Sequence, residues 1–271
     1  MDERYLKLDN ELMYIRHNGI KPGRRSLLFV HGLGDSGLSF EDVFKYGQLD
    51  SFNIIVPDLI GYGKSSQASS ENGYCYEAHL QRLWRLINEY RLDNIILLGH
   101  SMGGDLTTLL CQADTDGLIK KYINIEGDVT QFDLFLSGKA IEADREGVFE
   151  KWFFNDLMRD KIFFSSQRIR SLRLYYAGLN FCRPEAFLAN AKELVARNSS
   201  LAGPYKSEIG EIYCSLSNPR VFCYGTKSLS NETLAFLKEN NMEVQAFEGA
   251  GHSPMVDKSE EFYEFLYNYL D

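Results

Sequence analysis

Ser101 stands at the centre of Gly99-His100-Ser101-Met102-Gly103, a G-x-S-x-G pattern. A serine hydroxyl is a poor nucleophile until its place and its proton are controlled. The surrounding residues supply the place. Ile95 to Leu98 is an apolar run that reads as a short strand buried on both faces. After Gly104, residues Asp105 to Ala113 read as a helix packed through Leu106, Leu109 and Leu110. The two flanking glycines leave room for strand and helix to approach closely at the turn. The serine is thereby lifted above the sheet edge. The amides that follow it face the same space from a helix N-terminus, where an anionic oxygen is favoured. The chemistry this permits is attack on an acyl group; the competing reading is a plain glycine-rich βα turn.

The elements that must carry this turn follow from the order of apolar runs. Tyr5–Leu8 and Met13–His17 predict a hairpin. Ser26–Val30, Ile54–Val56 and Tyr122–Ile125 read as buried strands, with a helical stretch around Phe40 to Tyr46. Tyr76–Tyr90 predicts a helix, with Leu80, Leu83, Trp84 and Ile87 on its inward face. From about 130 to 218 no strand-like run interrupts the aromatic-rich helical pattern, which runs from Phe132 and Phe135 to Tyr205 and Tyr213. Strand character resumes at Arg220–Tyr224 and Val244–Phe247, with helices over Asn231–Asn240 and from about Ser259. Strand, loop and helix in repetition predict an α/β fold: a mostly parallel sheet with helices on both faces.

A chain of 271 residues accommodates one domain with a large insertion, or two domains. Its net charge of −9, without a Lys/Arg cluster, argues against nucleic-acid or anionic-membrane binding. The five cysteines include no C-x-x-C pair and read as free thiols in a reducing compartment. The N-terminus carries no signal-peptide core, and no apolar run approaches the ~18 residues of a membrane span. A cytoplasmic protein without integral membrane association is expected. No His/Asp cluster has metal-ligand spacing, so neither metal nor cofactor is expected.

Four segments together resemble the α/β-hydrolase superfamily, closest to its capped serine esterase and lipase-like branch: His31-Gly-Leu-Gly-Asp-Ser36, Pro57 to Ser65, Gly99 to Gly104, and Gly249-Ala-Gly-His-Ser-Pro254. The resemblance spans nearly the whole chain. It implies a sheet of about eight strands, with residues 1–129 and 219–271 forming the core and residues 130–218 a helical cap (lid).

The resemblance also implies roles. It makes Ser101 the nucleophile and His252 the base. Of the other histidines, His100 adjoins the serine and points away, His79 reads as a solvated helix-face residue, and His31 braces its glycine turn. The oxyanion hole falls to the backbone N–H groups of Met102 and Leu33. The acid departs from the commonest pattern. Many relatives place an aspartate after the seventh strand, whereas Gly225 to Asn231 holds no carboxylate. The loop after the sixth strand offers Glu126, at the strand end, and Asp128; Glu126 is the favoured acid. The function implied is cleavage of a small to medium carboxylic ester. Amide, thioester or carbon–carbon hydrolysis with the same triad, or ligand binding without catalysis, are the alternatives.

Overall fold

The computed structural model describes residues 1–70, 72–199 and 207–270. Its spine is an eight-stranded sheet of β1 (Asp2–Leu8), β2 (Glu11–His17), β3 (Ser26–Val30), β4 (Asn53–Pro57), β5 (Ile95–His100), β6 (Ile119–Ile125), β7 (Arg220–Gly225) and β8 (Val244–Phe247). The order across the sheet is β1-β2-β4-β3-β5-β6-β7-β8. β1 and β2 form an antiparallel hairpin, β2 runs antiparallel to β4, and the remaining pairings are parallel.

Alternation along the strands divides the core in two. Leu28, Val30, Ile55, Ile95 and Leu97 face one side; Leu27, Phe29, Ile54, Ile96 and Leu98 face the other. Helices α1 (Tyr76–Glu89) and α2 (Met102–Ala113) and the inserted helices cover the first side. The 3₁₀ helix Gly37–Lys45 and the C-terminal helix Ser259–Leu270 cover the second. Both faces are dry, which is why these strands read as unbroken apolar runs. Each such side chain contributes roughly 1.5–3 kcal/mol on burial, and Leu98→Ala would cost about 2–5 kcal/mol.

Between β6 and β7 the chain leaves the alternating pattern. It builds α3 (Phe135–Arg145), a helical run from Phe149 to Ser166, and helices Arg170–Asn180, Pro184–Asn198 and Glu208–Ser215. Trp152–Phe163 within the run is wound as a π-helix, a form seldom longer than one turn. Phe153 lies 5.8 Å from Phe149 and 5.1 Å from Phe187 between ring centroids, so much of the aromatic content forms the insertion's own core. Tyr205 lies outside the described residues. One charged clamp ties the insertion to the core. The Arg170 guanidinium donates to both Asp42 oxygens, at 2.6 and 2.9 Å, and Ser259 Oγ donates to the same carboxylate at 2.9 Å.

Helix α1 departs from the expected face. His79 is fully buried rather than solvated, and Leu80 and Trp84 are only half-buried, while Leu83, Leu86 and Ile87 are inside. The helix is turned so that Arg82 also faces inward, where its Nε and Nη2 meet the two Glu11 oxygens at 2.7 Å each. Pairing is what makes a buried guanidinium tolerable there. Among the described residues, no helix is long and apolar enough to cross a membrane.

Candidate active site

Ser101 joins β5 to α2 with φ 53° and ψ −127°. A side chain adopts this left-handed backbone only where its surroundings impose it. Here its N–H donates to the Ile125 carbonyl at 3.0 Å and its own carbonyl accepts from Gly104 N–H at 2.6 Å. A methyl group at Gly99 would strike Thr107 and the Gly103 carbonyl; one at Gly103 would strike the Val30 carbonyl. Glycine is therefore obligatory on both sides. His100 is buried, lines the same cavity as Ser101, and its Nε2 meets the His252 carbonyl at 2.8 Å.

His252 occupies the loop after β8, and its Nδ1 lies 2.7 Å from Glu126 Oε2. A carboxylate only accepts, so Nδ1 carries the proton and Nε2 keeps its lone pair. Burial pulls the imidazole down, but the hydrogen bond and charge of Glu126 more than offset it, leaving the group above its ordinary value of 6.5. The side chain is 52% exposed and lines the cavity.

Glu126 is a second left-handed residue, with φ 47°. Its Oε1 accepts from Gly225 N–H at 2.6 Å and from Ser228 Oγ at 2.5 Å. The last residue of β7 and the loop after it, which has no carboxylate of its own, thus supply donors to the carboxylate of the neighbouring strand end. Adjacency of the strands makes this possible, since Ile125 registers with Cys223. Sequence reasoning missed Gly225 and Ser228; the short polar run after the strand was the available signal. Asp128 makes no bond to His252 and lines the cavity instead. Ser101 lines the same cavity, and among the described residues no hydrogen bond yet joins its hydroxyl to His252. Such contacts often tighten only when substrate binds.

The turn after β3 closes on the serine. A methyl group at Gly32 would lie 2.9 Å from Ser101 Cβ. His31 fixes this turn: Nε2 accepts from Leu59 N–H at 3.0 Å, which leaves Nδ1–H to donate to the Gly32 carbonyl at 2.9 Å. Met102 heads α2, where the leading N–H groups lack intrahelical acceptors. Leu33 lies on the cavity wall.

The cavity above Ser101 measures about 920 Å³, within the range of small-molecule sites. Its roof comes from the insertion, through Phe132, Phe135, Leu136, Leu157, Ile162 and Leu172. Its aromatic lining comes from Phe132 and Phe135, which remain 40% and 62% exposed, and from the half-buried Tyr175.

Residues 25–259 match the family model described as alpha/beta hydrolase fold. The chain belongs to the alpha/beta hydrolase family. It is 21% identical over 266 residues to a Mycoplasma genitalium protein named as an esterase/lipase, a match covering 93% of this chain and 91% of that one. Among solved structures, one from work on carboxylesterases of Nitrososphaera gargenis aligns with TM-score 0.74 at 16% identity, covering 98% and 97% of the two chains. An Exiguobacterium antarcticum esterase aligns with TM-score 0.72 at 19% identity, covering 97% and 96%. The protein is a hydrolase of this fold.

Proposed function

We propose that this hydrolase cleaves a small to medium carboxylic ester through an acyl-serine intermediate. Ser101 Oγ attacks the acyl carbon while His252 Nε2 takes its proton. The N–H groups of Leu33 and Met102 receive the oxyanion. His252 then protonates the departing alkoxide, and the alcohol leaves. Water repeats the sequence in the second half, with His252 again as base, and releases the acid and free Ser101. Glu126 holds the imidazole in the tautomer that exposes Nε2 and stabilises the imidazolium when it forms.

The observation that carries this reading is the 2.7 Å contact between His252 Nδ1 and Glu126 Oε2, above a serine in strained backbone. The apolar roof supports an acyl substrate, with each buried methylene contributing about 0.8 kcal/mol, or roughly fourfold in affinity. Five free cysteines fit a cytoplasmic setting. A panel of p-nitrophenyl esters tests the proposal. kcat/KM should rise from acetate to butyrate or hexanoate and then fall. A flat profile, or preference for peptides, would contradict it.

A further inference from the structure

Beside the Glu126–His252 pair lies a group of acids that the proposed reaction does not use. Asp105 stands in the first turn of α2, Asp128 two residues beyond Glu126, and Asp133 at the entrance to the insertion. Asp133 is well satisfied, accepting from the Val129 and Thr130 N–H groups and from Thr233 Oγ1. Asp105 is half satisfied: Oδ2 accepts from Asn198 Nδ2 at 2.7 Å, while Oδ1 is buried without a partner. Asp128 differs from both. It is only 5% exposed and lines the cavity with Ser101, as Asp133 does, but no hydrogen bond among the described residues ends on its carboxyl group.

Among the described residues, no salt bridge ends on these three carboxyls, and the charge that reaches Asp128 is that of His252. Arg197, whose charge reaches Asp105, is bound to Glu193 and Glu208. The basic residues of the cavity wall, Lys161, Arg168, Arg170 and Lys227, are all exposed, and Arg170 is committed to Asp42. The interior of the cavity is therefore acidic and its rim basic. Burial first, and then the charges of Asp105 and Asp133, hold the Asp128 acid well above the usual carboxylate range. A buried carboxylate needs a proton or a paired cation. A ligand cation can meet that need in place of a proton.

We propose that Asp128 forms a subsite for a protonated aliphatic amine, so that the ester cleaved here carries an ammonium group within reach of the cavity floor. The identity of the ester rests on the function proposed above; the amine subsite does not. An alkylammonium brings a positive charge and N–H donors to Asp128, which lines the cavity and, among the described residues, accepts no hydrogen bond on its carboxyl group. Asp105 behind it keeps the local potential negative even when the two acids share a proton.

Two measurements test this. The first is titration calorimetry on Ser101→Ala protein, with butylammonium chloride compared with butan-1-ol. Butylammonium should bind at least about tenfold more tightly, and Asp128→Asn should remove that preference. Equal affinity, or preference for the alcohol, would overturn the proposal, the latter marking Asp128 as a neutral donor. The second is the ratio of kcat/KM for ethyl 3-aminopropanoate over its isostere ethyl butanoate. The ratio should exceed one in the wild type and fall in Asp128→Asn, with Asp128→Ser as the replacement if the asparagine form does not fold. A wild-type ratio below one overturns the proposal. If neither ester is hydrolysed while butylammonium still binds through Asp128, the ester reading fails and the subsite stands.

Discussion

His100 Nε2 meets the main-chain carbonyl of His252 at 2.8 Å, so the residue beside the nucleophile holds the backbone of the base. Burial, followed by the charge of His252, brings the His100 imidazole down to about 3. It therefore stays neutral, with Nε2–H available as a donor, across the pH range in which a hydrolase works. His100→Ala should lower kcat by about tenfold, with little change in the pH at which activity rises. Steady-state kinetics across pH check this, and unchanged kcat would remove His100 from the positioning machinery.

The Glu126–His252 contact predicts both a magnitude and a pH profile. A protonated His252 cannot accept the serine proton, so kcat/KM should rise with pH, with its midpoint above 6.5 because Glu126 raises the imidazole. Glu126→Gln removes that charge. The midpoint should shift down and kcat should fall by as much as about 10⁴-fold, the cost of the corresponding change in a well-studied serine protease. Asp128→Asn should cost far less on a neutral ester. If Asp128→Asn is the more damaging change, the acid role moves two residues along.

Asp42 predicts how acid loosens the insertion. Burial raises this carboxyl, but Arg170, Lys45 and Ser259 together hold it far below 3.8. A depressed folded-state value means that the clamp stabilises fully above the unfolded value and is lost as pH falls below it. Arg170 is half exposed, so the contribution is modest, about 1–2 kcal/mol. Asp42→Asn should lower the melting temperature at neutral pH, and the gap to wild type should begin to narrow as pH falls below 3.8, with part of it still present at pH 3. A gap that is constant with pH would assign the loss to packing rather than to charge.

The sequence carried the sheet and the nucleophile turn because both depend on local patterns. Unbroken apolar runs mark strands buried on two faces, and Gly99 and Gly103 mark a crossing too tight for a side chain. Glu126 was legible as a carboxylate at a strand end, yet its anchors Gly225 and Ser228 were not. Their pairing spans about a hundred residues and depends on β6 and β7 being neighbours. The same distance problem hid Arg82. A helix face read from apolar residues alone leaves out a buried arginine whose partner, Glu11, lies on another element. Leu80 and Trp84 were consequently placed too deep, and His79 was placed in solvent.

Covalent labelling tests the central claim most directly. A fluorophosphonate probe reacts only with a serine whose proton can be taken by a base beside an oxyanion site. Labelling should be stoichiometric on the peptide containing Ser101, suppressed on the order of 10³-fold or more in His252→Ala and absent in Ser101→Ala. Absence of labelling in the wild type, or labelling at another residue, would contradict it.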